Sequence, residues 1–190
     1  MLALIAAIAW SAAVAAQGNS TIGPCTDALE FDGGHLSDVC TEWLEGNNAY
    51  SATMRASISP QPASQQVMLY RMEGAWFMRV AGYRWEPGSA VETRRREFPV
   101  SDGDAQVIVD RMTIAHLDEL GELLYYGSEN VICTDGASYE LAMAINGQRR
   151  NARQHSCAGK TELHQTAAIF RQIALKYDPE FAGMLRGFAE

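Results

Sequence analysis

Hydrophobic and polar positions follow a two-residue period in two stretches of the chain. VMLYRMEGAWFMRVAGYRW, residues 67–85, carries aromatic and β-branched residues on both sides of Gly74. Tyr139, Leu141, Met143 and Ile145 alternate up to Asn146-Gly147. Both patterns predict strands. Three antiparallel strands are expected at roughly 67–73, 76–85 and 90–98, with Pro87-Gly88 turning the second into the third. Trp76, Met78 and Val80 share one parity, and Phe77, Tyr83 and Trp85 the other. That mixture predicts a helix on one face and a second face that is partly buried.

Asn146-Gly147 is the strongest hairpin signal, because both residues accept positive φ. A two-residue turn there sets Glu140 opposite Arg153, Ala142 opposite Asn151 and Ala144 opposite Arg149. The first pair puts opposite charges side by side.

Elsewhere the period changes to that of a helix. Ala105, Ile108, Val109, Met112, Ala115, Leu120 and Leu123 approximate one apolar face, so one helix capped by Asp104 is expected to run toward Leu124. Leu163, Ala167, Phe170, Ile173, Ala174 and Tyr177 form the stripe of another, ended at Asp178-Pro179, with a short final helix through Phe188. Short helices are also expected at Leu36–Leu44 and near Ala49–Ala56, followed by the extended connector SISPQPAS.

The fold class predicted is α+β: antiparallel hairpins packed with helices, in a possible duplication of a strand-strand-helix arrangement. The order lacks the βα alternation of a doubly wound nucleotide fold and the strand number of an immunoglobulin-like sandwich.

The first residues, MLALIAAIAWSAAVAAQGNS, read as a secretory signal over 1–16, cut after Ala15 or Ala16. Residues 17–190 are then a single exported domain, periplasmic or secreted, with 17–64 as an acidic segment and Pro-rich connector. No later segment has the length and apolarity to span a membrane. Export directs Cys25, Cys40, Cys133 and Cys157 toward disulfides. Four cysteines allow three pairings, and local closure favours Cys25-Cys40 and Cys133-Cys157, each worth roughly 3 to 4 kcal/mol. The net charge of -8 disfavours bulk nucleic-acid binding. Walker and dinucleotide fingerprints are absent, and no cofactor is expected.

The remaining chemistry is sparse. Cys133, His155 and Cys157, with His164 as a candidate fourth ligand, form an alternative metal set, although the spacing is not that of a compact zinc knuckle. His116, oriented by Asp118 or Glu119, can act as an acid or base, or simply pack at the core boundary. His35 either ligates or faces water. No G-x-S-x-G, HExxH or Ser-x-x-Lys pattern supports a hydrolase. Asp102, Asp104, Asp110, Asp118, Glu119 and Glu122 fit a helix start and a solvated acidic face.

Charge partition is the stronger feature. Asp27 to Glu45 holds acids and no Lys or Arg, while Arg79, Arg84, Arg94, Arg95, Arg96, Arg149, Arg150 and Arg153 lie in the expected strands. The arginines answer the acidic segment internally or bind a carboxylate or phosphate outside. The function expected is an exported, disulfide-stabilised, non-enzymatic interaction or structural module. Arg149, Arg150 and Arg153 are its contacts to an envelope or extracellular protein or to a small anion. The alternatives are an exported hydrolase using His116, His155 or carboxylates, and a metal-binding protein using Cys133, His155 and Cys157.

Overall fold

Two tight turns organise the sheet. In the computed structural model, which describes residues 48–56, 64–86, 89–122, 136–146, 148–156 and 161–184, strand β5 (Ala137–Ile145) meets β6 (Gln148–His155) across Asn146, whose φ is +49°. The register pairs Glu140 with Arg153, Ala142 with Asn151 and Ala144 with Arg149, as the Asn-Gly spacing predicts. Strands β2 (Ser64–Met72) and β3 (Ala75–Glu86) join at Glu73-Gly74, both at positive φ, the backbone that matches strand twist in a two-residue hairpin. Strand β4 (Ser89–Val100) then pairs with β3, and a bulge at Gly82/Tyr83 shifts the register.

One expectation is corrected. Ala49–Ala56 is not a helix but strand β1, at the centre of the sheet. Its sequence, AYSATMRA, shows no polar–apolar alternation because Ala49 through Met54 are buried on both faces. β1 pairs with β2 on one side and β5 on the other, so the strand order is β4-β3-β2-β1-β5-β6 with antiparallel neighbours throughout. The structure is an α+β fold. Strands followed by helices do occur twice, four strands and then two, but both sets enter one sheet.

The expected helix from Asp104 is also corrected. Two helices, α1 (Asp102–Arg111) and α2 (Ile114–Glu122), are separated at Met112-Thr113. Ser101, not Asp104, caps α1, its Oγ accepting from the Asp104 amide at 3.2 Å. Thr113 Oγ1 accepts from the His116 amide at 3.1 Å and restarts the helix. The break resets the apolar phase: Ala105, Ile108 and Met112 are buried, then Leu117 and Leu120, while Ala115 is exposed. Thr113→Ala is expected to cost about 1 kcal/mol. Urea denaturation should show Thr113→Ser close to the parent, since serine keeps the accepting hydroxyl.

Helix α3 (Glu162–Tyr177) buries Leu163, Ala167, Phe170, Ile173 and Ala174, the expected stripe. After Asp178-Pro179 the short α4 (Phe181–Met184) seats Phe181 on Phe98, ring centroids 5.6 Å apart. Phe98 also stacks on Tyr177, and Tyr139 meets His164 edge-on at 4.3 Å. Cross-strand pairing assigns Tyr50, Leu69, Met78, Phe98 and Met143 to one row, and Ala52, Val67, Val80, Leu141 and Ala152 to the next but one. Both rows lie on the face that carries the helix contacts.

Candidate functional site

The opposite face of the sheet has a different chemistry. Its rows read Ser51, Met68, Arg79, Glu97, Ala142 and Asn151, then Thr53, Gln66, Ala81, Arg95, Glu140 and Arg153. No helix among the described residues has a side-chain ring contact or ion pair with these rows. Yet Ser51, Thr53, Gln66, Met68, Arg79 and Glu140 are all buried. The rim is open: Arg95 and Glu97 on β4, and Asn151 and Arg153 on β6, are exposed.

Arg79 is the unusual member, a guanidinium with 2% of its surface exposed. It donates through Nη2 to Met68 Sδ at 3.7 Å, and its Nε has no hydrogen-bond partner. Ser51 Oγ and Gln66 Oε1, on the same face, are also buried without partners. The amide of Gln66 donates to Thr53 Oγ1 at 3.5 Å, and Asn151 Nδ2 to Glu140 Oε1 at 3.4 Å. Glu97 is the cross-strand neighbour of Arg79 on β4, and a buried guanidinium is costly unless charge and hydrogen bonds compensate it. Tyr70, beside Phe77 on this face, has its hydroxyl pKa raised by burial first and by Glu97 second.

The three arginines expected to act together divide between the faces. Arg149 and Arg153 share the helix-free face by register, whereas Arg150 lies on the other and pairs through Nε with Asp118 of α2 at 3.0 Å. Arg96 is likewise held on the helix side, by Asp178 and Glu180 at 3.1 Å each. Arg94 and Arg96 share a face and Arg95 takes the other, as expected.

The histidines do not converge. His116 belongs to α2 on the helix side, with its Nε2 buried and unpartnered. His155 pairs with Ser138 at the end of β6, in a row of the helix-free face. It packs so closely on Gly136 that a β-carbon there would fall 2.6 Å from its Cε1. His164 completes the capping box of α3, its Nδ1 accepting from the Thr161 amide at 3.3 Å. Among the described residues no cluster of three His, Cys, Asp or Glu has metal-binding geometry. Cys25, Cys40, Cys133 and Cys157 lie outside the described residues, as do His35, residues 1–16 and the expected helix at Leu36–Leu44.

No protein-family model, curated protein or solved structure matches this chain. Its chemistry therefore has to be read from the residues themselves. Sequence reasoning grouped Arg79 with the other strand arginines and gave no sign of its burial. The only signal was its position, one residue from Met78 and Val80, in the middle of an aromatic-rich strand.

Proposed function

We propose that the chain is an exported, disulfide-stabilised, non-enzymatic interaction module that binds a carboxylate-bearing partner along β6. The observation that carries this reading is the exposure of Asn151 and Arg153 on an edge strand, on the face free of described helices, with Arg149 on the same face by register. A guanidinium in such a position offers a planar fork matched to a carboxylate. Arg150, committed to Asp118, holds α2 against β6 instead. Charges along an edge strand also discourage unwanted strand addition, which suits a surface that recognises side chains.

A peptide of six glutamates, titrated into isotopically labelled protein, tests the assignment. Shifts are expected along β6, and the Arg149→Glu/Arg153→Glu double variant should weaken binding at least tenfold. Arg150→Glu should stay within about twofold, since an exposed pair contributes little to stability. Equal losses in the two variants, or no loss in the double variant, would show that β6 does not select the partner. Raising salt should weaken the complex.

A further inference from the structure

We propose that the chain forms a two-fold symmetric dimer in which residues 94–98 of β4 pair, antiparallel, with the same residues of a second copy. This inference uses the opposite edge of the sheet from the proposed binding strand β6, so the two fail separately.

Among the described strands β4 pairs with β3 alone, and its Arg95, Arg96, Glu97 and Pro99 are exposed. The direction of its main-chain groups follows from the hairpin before it. Ala75 closes the two-residue turn against Met72 and so bonds toward β2; by alternation, Met78 and Val80 bond toward β4. Their partners Phe98 and Arg96 are thereby committed to β3. Arg95, Glu97 and Pro99 turn their main chain outward, the orientation in which a proline without an N–H is tolerated in a sheet. This edge is regular over a bounded length. Thr93 is skipped in the pairing with β3, between Glu92 and Arg94, and Pro99 supplies no donor at the other end. Arg96 lies midway between the two. A two-fold axis beside Arg96 therefore gives the longest uninterrupted ladder, in which Arg95 and Glu97 exchange main-chain bonds with Glu97 and Arg95 of the second copy.

Charge selects the same register. Residues placed opposite one another share a face, so the axis has to pass beside a residue. Beside Arg95 it would set that guanidinium against its twin, and beside Glu97 it would oppose two carboxylates, both destabilising. Beside Arg96 it sets Arg95 against Glu97 twice. Glu97 already has Arg79 as its neighbour on β3 and hydrogen-bonds the Tyr70 hydroxyl. Two carboxylate oxygens have the capacity for another guanidinium as well. The twin Arg96 side chains meet on the helix side, where each is held by Asp178 and Glu180 at 3.1 Å, and those carboxylates offset the like charge. The β6 edge lacks this self-complementarity: pairing about Asn151 would oppose Arg149 and Arg153.

The test is sedimentation velocity of the full chain at rising concentration and low salt. A ladder over 94–98 buries little surface, so a weak, concentration-dependent dimer is expected. Arg95→Glu should weaken it about tenfold, whereas Arg111→Glu, the same charge change at an exposed position of α1, should leave it within about twofold. In the parent, an equimolar mixture of isotopically labelled and unlabelled chain should give an intermolecular contact between the α-protons of Arg96 and its twin, the close pair of such a ladder. A chain that stays monomeric up to its solubility limit overturns the proposal. So do association beyond the dimer, equal behaviour of the two variants, or intermolecular contacts elsewhere with none at Arg96. If Arg95→Glu loses the parent circular dichroism, the contact in the parent decides alone.

Discussion

Replacing Phe170 by alanine is expected to destabilise the protein by about 3 to 5 kcal/mol, the range for truncating a fully enclosed aromatic side chain. Phe170 is 0% exposed at the middle of α3, within the stripe that faces the sheet. Helix α3 packs on β1, β2 and β5 and Phe170 belongs to the core between them, so deletion of the ring leaves a cavity that two packed layers close poorly. Val107 supplies the control, because its side chain on α1 is 48% exposed and Val107→Ala should change stability by less than about 0.5 kcal/mol. Both are read from urea denaturation. A small loss for Phe170→Ala would mean that α3 is not the principal cover of this face.

The second large effect concerns the junction of α1 and α3. Asp104 accepts hydrogen bonds from Lys176 Nζ at 2.8 Å, from the Tyr177 hydroxyl at 2.7 Å and from Ser101 Oγ at 2.8 Å. Tyr177 in turn accepts from the Ser101 amide at 2.7 Å. Lys176, then Tyr177 and Ser101, lower the Asp104 pKa from 3.8 to about 2. The folded state therefore holds the carboxylate ionised at pH values where the unfolded chain is already protonated. The stabilisation is complete above the unfolded pKa and is lost as pH falls through the folded value. Asp104→Asn should cost about 1 to 2 kcal/mol at pH 7, toward the low end for bonds to a charged acceptor, because the Lys176 side chain is 64% exposed. Between pH 5 and pH 2 the gap between parent and variant should close. A constant gap across that interval would assign the effect to shape rather than charge.

The parts of the fold legible in sequence were those fixed by local chemistry. Asn146-Gly147 set the β5–β6 register residue by residue, and the stripe from Leu163 to Tyr177 gave α3. Ala49–Ala56 failed for the opposite reason. A strand enclosed on both faces by the rest of the protein has no solvent side to mark its period, and its alanines, Met54 and Arg55 favour a helix locally. The break at Thr113 was present as a capping residue but was hidden by an apolar pattern that continues across it. On the candidate surface, parity separated Arg150 from Arg149 and Arg153. The commitment of Arg150 to Asp118 and the burial of Arg79 depend on contacts between distant elements, which no local pattern carries.

The placement of β1 sets the order in which the sheet can be completed. Counting antiparallel steps from β4 through β3, β2 and β1 to β5 shows that β4 and β5 run in the same direction, so the chain must cross the sheet through α1 and α2 before β5 can pair. Strands β1 to β4 can form as a meander from near neighbours in sequence. The far side of β1 then waits for a partner whose first residue lies more than eighty positions later. Long-range pairing of this kind is slow, and an unpaired strand edge is open to other chains. A chain that emerges from its amino end, at a ribosome or a translocation pore, presents this edge until Ala137–Ile145 has followed. The hairpin at the carboxyl side thus acts as the closing piece, and an interruption of synthesis or transit before it would leave a nearly complete sheet poised to aggregate.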